Sequence, residues 1–61
     1  MKQKFINRVM REGIVDTENY RYIATEEYDA KTQWIEIKRL PIDQLDTTTA
    51  IDGWQIVKRI Y

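Results

Sequence analysis

Two neighbouring runs of residues, 20–28 and 33–40, constrain the fold of this chain more than any other feature. Both are rich in tyrosine, isoleucine, tryptophan and threonine, which are residues that favour β-strands. The polar residues 29–32 between them favour a chain reversal, so we predict a β-hairpin. Because successive side chains of a strand point to opposite faces, the loop length decides which side chains share a face.

A loop with an even number of residues places Tyr28 opposite Gln33 and Tyr22 opposite Arg39. One face then carries Tyr20, Tyr22, Ala24, Glu26, Tyr28, Gln33, Ile35, Ile37 and Arg39. The second face carries Arg21, Ile23, Thr25, Glu27, Trp34, Glu36, Lys38 and Leu40. A loop of three or five residues would mix the two sets. The even loop gathers the apolar side chains on one side, and we predict it for that reason.

Residues 2–12 have the pattern of an amphipathic helix. Apolar residues fall within half a turn of a helical wheel, and polar or charged residues occupy the other side. The apolar set is Met1, Phe5, Ile6, Val9 and Met10. Gly13 follows at a position where helices commonly end in a left-handed residue. Ile14 is expected to fold back in an apolar contact onto the last turns of the helix.

The chain after the hairpin is harder to interpret. Pro41 ends the second strand because proline cannot donate to a ladder, and residues 41–45 suit one helical turn. Residues 46–53 fit either a tight hairpin with its turn at Asp52 and Gly53 or a short helix that begins at Asp46. The three consecutive threonines before the turn are unfavourable in a helix, which favours the hairpin.

Together these elements predict an α+β fold in a single small domain, residues 1–61. It consists of a three- or four-stranded antiparallel sheet with the N-terminal amphipathic helix packed on one face. The last strand, 54–60, is expected to alternate, with Trp54, Ile56 and Ile60 on one side and Gln55, Val57, Arg59 and Tyr61 on the other. Ile56 should therefore join the core, in which the helix contacts the sheet through Phe5, Ile6, Val9, Met10, Tyr22, Ile35 and Ile37.

The amino-acid content argues against catalysis and metal binding. The chain has 61 residues with no cysteine and no histidine, which excludes disulfides and the zinc sites built from those residues. It also lacks serine. The usual nucleophiles, serine and cysteine, and the usual general base, histidine, are therefore all absent. We expect no enzyme activity, cofactor or metal. A domain this small has a thin stability margin, and self-association as a homodimer is the expected additional support.

The charges and hydropathy suggest location and one alternative function. No apolar run approaches a membrane span, and we expect no signal peptide, so the chain is expected to be cytoplasmic. The formal net charge is +0, which weakens general attraction to nucleic acid. The first eleven residues nevertheless carry cations without acids. These are Lys2, Lys4, Arg8 and Arg11, and they form the candidate surface for nucleic-acid binding as the alternative function.

The second face of the hairpin supplies the leading hypothesis. Trp34 lies there among charged residues, with Ile23 and Leu40 as apolar neighbours, in a composition typical of protein interfaces. The candidate partner-binding residues are Trp34, Ile23, Leu40, Lys38 and Tyr61. The alternative is that residues 41–53 fold over Trp34 and bury it. We expect a regulatory or inhibitor protein that binds another protein through a sheet face or a strand edge. A phage or other mobile element would suit a protein of this profile.

Overall fold

The computed structural model describes residues 1–44 and 53–61. Its elements are helix α1 (Gln3–Glu12) and the strands β1 (Ile14–Asp16), β2 (Tyr20–Tyr28), β3 (Gln33–Pro41) and β4 (Gln55–Ile60), with one 3-10 turn at Ile42–Gln44. The strands form a 4-stranded antiparallel sheet in the order β1-β2-β3-β4. Helix α1 packs on one face of this sheet. The predicted α+β fold is confirmed.

The central hairpin has the predicted register, with Tyr28 opposite Gln33 and Tyr22 opposite Arg39. The loop between β2 and β3 is held by Asp29, whose Oδ1 accepts hydrogen bonds from the backbone N–H groups of Lys31 at 2.8 Å and Thr32 at 2.9 Å. The Asp29 N–H also donates to the Thr32 carbonyl at 2.9 Å. Aspartate is well suited to this role because its short side chain reaches nearby backbone N–H groups.

Helix α1 ends at Gly13, as predicted. Gly13 has φ +82°, and its N–H donates to the carbonyl of Val9 at 2.7 Å. The expectation for Ile14 was wrong, because Ile14 begins strand β1 and is 56% exposed. Strand β1 was not predicted: three residues are too few for a recognisable alternation, and pairing with β2 stabilises them. The hairpin or helix proposed for residues 46–53 lies, apart from Gly53, outside the described residues.

The core lies between α1 and the sheet. Its buried side chains are Ile6, Val9, Val15, Tyr22 and Ile37. The rings of Phe5 and Tyr22 meet edge to face, with centroids 4.9 Å apart and an interplanar angle of 80°. Such an arrangement is favourable because the positive edge of one ring meets the negative face of the other.

Strand β4 contains a β-bulge that corrects the predicted alternation. Ile37 pairs with Lys58 whereas the next residue, Lys38, pairs with Ile56, so one residue of β4 is extra. The extra residue shifts the side-chain alternation. As a result Val57 and Ile60 pack against the core, and Ile56 is 51% exposed. The predicted contact of Ile56 with the helix is therefore wrong, and Val57 takes its place.

Candidate functional site: the open face of the sheet

The candidate site is the face of the sheet opposite α1, which we call the open face. Residues paired directly across antiparallel strands share a face. The pairs Ile14 with Ile23, Ile23 with Lys38 and Lys38 with Ile56 therefore form one row across all the strands. Both ends of this row are exposed isoleucines, Ile14 and Ile56. The row is an apolar strip interrupted only by the lysine.

An aromatic pair lies at the hairpin end of the open face. The ring centroids of Trp34 and Tyr61 are 5.6 Å apart with an interplanar angle of 35°. The Trp34 indole donates from Nε1 to Oε2 of Glu36 at 2.9 Å, which fixes the orientation of the ring. Trp34 is half-buried whereas Tyr61 is 76% exposed. The outermost aromatic surface of this face therefore belongs to Tyr61.

Glu36 lies between the isoleucine row and the aromatic pair, and it is only 5% exposed. Its Oε2 also accepts from Nε of Arg59 at 3.0 Å, and its Oε1 lies 3.6 Å from Nζ of Lys38. The hydrogen bond from Trp34, followed by the hydrogen bond and charge of Arg59 and the charge of Lys38, holds the pKa of Glu36 below its ordinary value, although burial opposes this shift. The centre of the face thus holds a compensated charge that a partner need not neutralise.

The structure places most of the predicted contact residues together. Trp34, Ile23, Lys38 and Tyr61 all belong to the open face. Leu40 is on the same side of β3 but is fully buried, so it has no surface to offer a partner. Residues 41–44 are described, but the proposed covering of Trp34 by residues 41–53 falls largely outside the described part of the chain.

Sequence reasoning missed part of this site. Ile14 was missed because β1 was not predicted, and Ile56 was assigned to the core because the bulge in β4 leaves no local sequence signal. Arg59 was predicted on the side of β4 away from the core, and its pairing and ion pair with Glu36 do place it on the open face, but its role as the partner of Glu36 was missed. Glu36, which is directly opposite Arg59 on β3, lies 23 residues earlier in the chain and is not visible from the sequence of β4 alone.

The basic residues of α1 are partly neutralised. Glu12 Oε2 accepts from Arg8 Nε at 2.9 Å and lies 3.4 Å from Arg11 Nη2. The hydrogen bond from Arg8, followed by the charges of both arginines and the hydrogen bond from Arg11, lowers the pKa of Glu12 against the opposing effect of burial. Lys2 and Lys4 are exposed and have no ion pair within the described residues. The candidate nucleic-acid surface thus keeps two lysines without an ion pair in the described part of the chain, beside two exposed arginines that share one carboxylate.

A groove lies on the helix side of the sheet, between the start of α1 and β4. It has a volume of about 640 Å³ and is lined by Lys2, Phe5, Arg39 and Val57 among others. The Arg39 guanidinium lies 4.3 Å from the centroid of the Tyr20 ring, and its Nε donates to Oε1 of Gln55 at 3.1 Å. Arg39 is therefore already engaged within the protein, and among the described side chains that line the groove this leaves Lys2 as the cation without such a contact.

Comparison with known proteins adds no functional information. No protein-family model, no curated protein and no solved structure matches the chain. Within residues 1–44 and 53–61, no helix has the length and apolar character needed to cross a bilayer. In the same described residues, no cluster of three or more Asp, Glu, His or Cys side chains is arranged to hold a metal ion.

Proposed function

We propose that this protein is a non-enzymatic protein-binding module and that its open face is the binding surface. The observation that carries the proposal is the exposed row of Ile14 and Ile56 beside the aromatic pair of Trp34 and Tyr61. A contact surface of this kind suits a small regulatory or inhibitor protein of the cytoplasm, such as a phage or another mobile element would encode.

The composition of the open face supports binding to protein. Interfaces combine apolar and aromatic side chains at the centre with polar groups whose hydrogen bonds are satisfied. Here Glu36 is compensated by Arg59 and Lys38. At the opposite end, Arg21 donates from Nε and Nη2 to Oδ1 and Oδ2 of Asp16 at 2.8 and 3.0 Å. Covering these ion pairs with a partner leaves no isolated charge, so the desolvation cost is limited.

A second copy of the chain is the first partner to test. The order β1-β2-β3-β4 leaves β4 at an edge of the sheet, so self-association can use either the open face or this edge. The row of Ile14, Ile23, Lys38 and Ile56 spans the sheet and suits an isologous contact, in which the same residues meet from both copies. Burying this row would add the apolar area that a small domain lacks.

Charge insertion tests the open face. We expect Ile56→Lys and Ile14→Lys to weaken association by about tenfold or more, since each buries an unpaired ammonium group in an apolar contact. Gln3→Lys, at an exposed position of α1, adds the same charge on the opposite side of the molecule and is the matched control. Sedimentation equilibrium measures self-association, and circular dichroism checks the fold. Because Ile14 and Ile56 are half exposed, both variants are expected to fold.

The outcomes separate the possible partners. Weakened association in both isoleucine variants and not in Gln3→Lys supports the open face. Equal association in all the variants contradicts it and favours the β4 edge. If the wild type is monomeric, affinity capture from the native host with the wild type and Ile56→Lys identifies proteins whose retention depends on this face. The absence of any such protein would then contradict the proposal.

The alternative function is nucleic-acid binding by the N-terminal end of α1. The observation in its favour is that Lys2 and Lys4 are exposed and without ion pairs in the described part of the chain. Binding of random oligonucleotides that falls steeply with salt and is lost in a Lys2→Gln, Lys4→Gln double variant would support it. Absence of binding at low salt would remove it.

A further inference from the structure

A groove at the hairpin end of the sheet combines aromatic and acidic side chains. It has a volume of about 410 Å³, and its lining includes Tyr28, Trp34 and Tyr61. Ile35 and Ile60, paired across β3 and β4, also line it. Tyr28 is 79% exposed, and Tyr61 is nearly as accessible.

Glu26, Ile35 and Ile60 are paired across β2, β3 and β4, so they share the helix side of the sheet, and Tyr28, two residues after Glu26, points to the same side. Trp34 and Glu27 also line the groove but belong to the open face. The helix side therefore brings one carboxylate, the exposed Tyr28 ring and two isoleucines to a concave site of a size that accepts a side chain.

The charge of this groove is negative. Among the described residues that line it, the charged ones are Glu26 and Glu27. Glu27 lies 4.0 Å from Nζ of Lys38, which is the outer limit of an ion pair. Glu26 is exposed, and no cation of the described chain is in ion-pair contact with it. At least one carboxylate of the groove is thus available to a ligand.

We propose that this groove binds a positively charged side chain, arginine or lysine, of an extended peptide segment of the partner protein. The inference rests on the proposed protein-binding function and specifies the chemistry of the partner. A cation is attracted electrostatically to the face of an aromatic ring and to a carboxylate, and the two interactions reinforce each other when both groups border one groove. An apolar stem, such as that of arginine or lysine, suits the isoleucines beneath.

The complementarity of charge distinguishes this ligand from others. An anionic ligand, including nucleic acid, would be repelled by Glu26 and Glu27, and a purely apolar ligand would bury those carboxylates without compensation. A cation avoids both costs. Lys2 and Lys4 of a second copy carry the same charge, so self-association through this groove is the competing outcome that the experiment must separate.

The test uses the intact chain and a matched pair of short peptides. Acetyl-Gly-Arg-Gly-amide is titrated into ¹⁵N-labelled protein at low salt, and the neutral peptide with citrulline in place of arginine is the control. We expect saturable shifts of the amide resonances of Glu26, Tyr28 and Tyr61 with the arginine peptide and much smaller shifts with the citrulline peptide. Equal shifts with both peptides, or no shifts at millimolar concentration, would overturn the proposal.

Variants identify the groups responsible. Glu26→Gln should weaken binding of the arginine peptide about two- to fivefold, as expected for one exposed charge pair. Tyr28→Leu should weaken it by about the same factor through loss of the ring face. Glu18→Gln, an exposed acid on the loop between β1 and β2, is the control and should leave binding unchanged. Equal affinity of Glu26→Gln and wild type would count against the groove.

Two further measurements separate the proposals from each other. Ile56 does not line the groove. The Ile56→Lys variant should therefore bind the arginine peptide as the wild type does, even if its self-association through the open face is lost. Dilution of the protein without peptide tests whether a second copy of the chain occupies the groove. If the same resonances shift with protein concentration alone and Lys4→Gln abolishes the shift, the groove holds another copy of the chain and the peptide assignment is wrong.

Discussion

Single residues on the open face show how a charged side chain is held in a small protein. Glu36 is almost fully buried on the face opposite α1, and it is surrounded by donors from Trp34, Arg59 and Lys38. Asp16 is held in a comparable way, because the two hydrogen bonds from Arg21 and then its charge lower the pKa of Asp16, against the opposing effect of burial. In both cases folding favours the ionised carboxylate.

The pH dependence of stability follows from the lowered pKa of Glu36. A carboxyl whose pKa is lower in the folded state stabilises the fold above its unfolded pKa, and this contribution is lost as the pH falls through the folded pKa. We therefore expect Glu36→Gln to lower the Tm relative to wild type at pH 7. The difference should shrink as the pH falls below the ordinary range of glutamate. Thermal unfolding followed by circular dichroism at a series of pH values measures both effects.

Glu18→Gln is the control for this experiment, since Glu18 is exposed and its substitution should change the Tm little at any pH. A constant difference between Glu36→Gln and wild type across the acidic range would contradict the assigned role. Such a result would show that glutamine at position 36 destabilises the fold through packing and not through the loss of charge.

At the scale of elements, one glycine decides how α1 connects to the sheet. Gly13 has φ +82° and ψ −36°, which allows the chain to leave the helix and enter β1 directly. Its N–H closes the last turn of the helix, and its carbonyl accepts from the N–H of Ala24 at 3.0 Å. A single residue therefore joins helix and sheet, and its backbone conformation is one that other residues rarely adopt.

Gly13→Ala should lower the free energy of unfolding by about 1–3 kcal/mol. An added Cβ would meet no atom within 4 Å, so this cost comes from the backbone conformation alone. Denaturant titration of the variant measures it. The chain is short enough for chemical synthesis, and D-alanine at this position is the matched control. It adds the same methyl group with the opposite chirality and should cost less than L-alanine. Equal losses for both would contradict the backbone explanation.

At the scale of the whole molecule, the described residues form a helix layer and a sheet layer, and the two faces of the sheet are unequal. Helix α1 covers one face and creates the core, whereas the other face keeps Ile14 and Ile56 exposed. A chain of this length has a stability of roughly 3–9 kcal/mol at the usual value per residue. The core must therefore be well packed, and under the proposed function the exposed isoleucines serve contact with another molecule.

The same substitution on each face separates these roles. Ile37 is fully buried beneath α1, and Ile56 is exposed on the neighbouring strand. Ile37→Val should cost about 0.5–1.5 kcal/mol of stability, because a buried methyl group is lost. Ile56→Val should leave the stability of the monomer almost unchanged. Denaturant unfolding at low protein concentration makes the comparison. Similar losses at both positions would show that Ile56 contributes to the core.

Local patterns determined much of this fold. The alternation in 20–28 and 33–40 and the polar loop at 29–32 were sufficient to predict the register of Tyr28 with Gln33. The helical periodicity before Gly13 was sufficient for α1. These features depend on residues close together in the chain, whose side-chain directions follow from the local backbone alone. For the same reason Trp34 and Ile23 could be assigned to the face away from the core.

The tertiary structure decided the features that depend on partners distant in the chain. Strand β1 exists because Ile14 and Asp16 pair with β2. The bulge in β4 arises where β4 pairs with β3, and it turns Ile56 to the exposed face. The nearly buried Glu36 is paired with Arg59, 23 residues later. Sequence alone therefore determined which residues form the hairpin and the helix. The packing of strands against one another determined which isoleucines remain exposed, because pairing energy between separate segments leaves no periodic signal in either one.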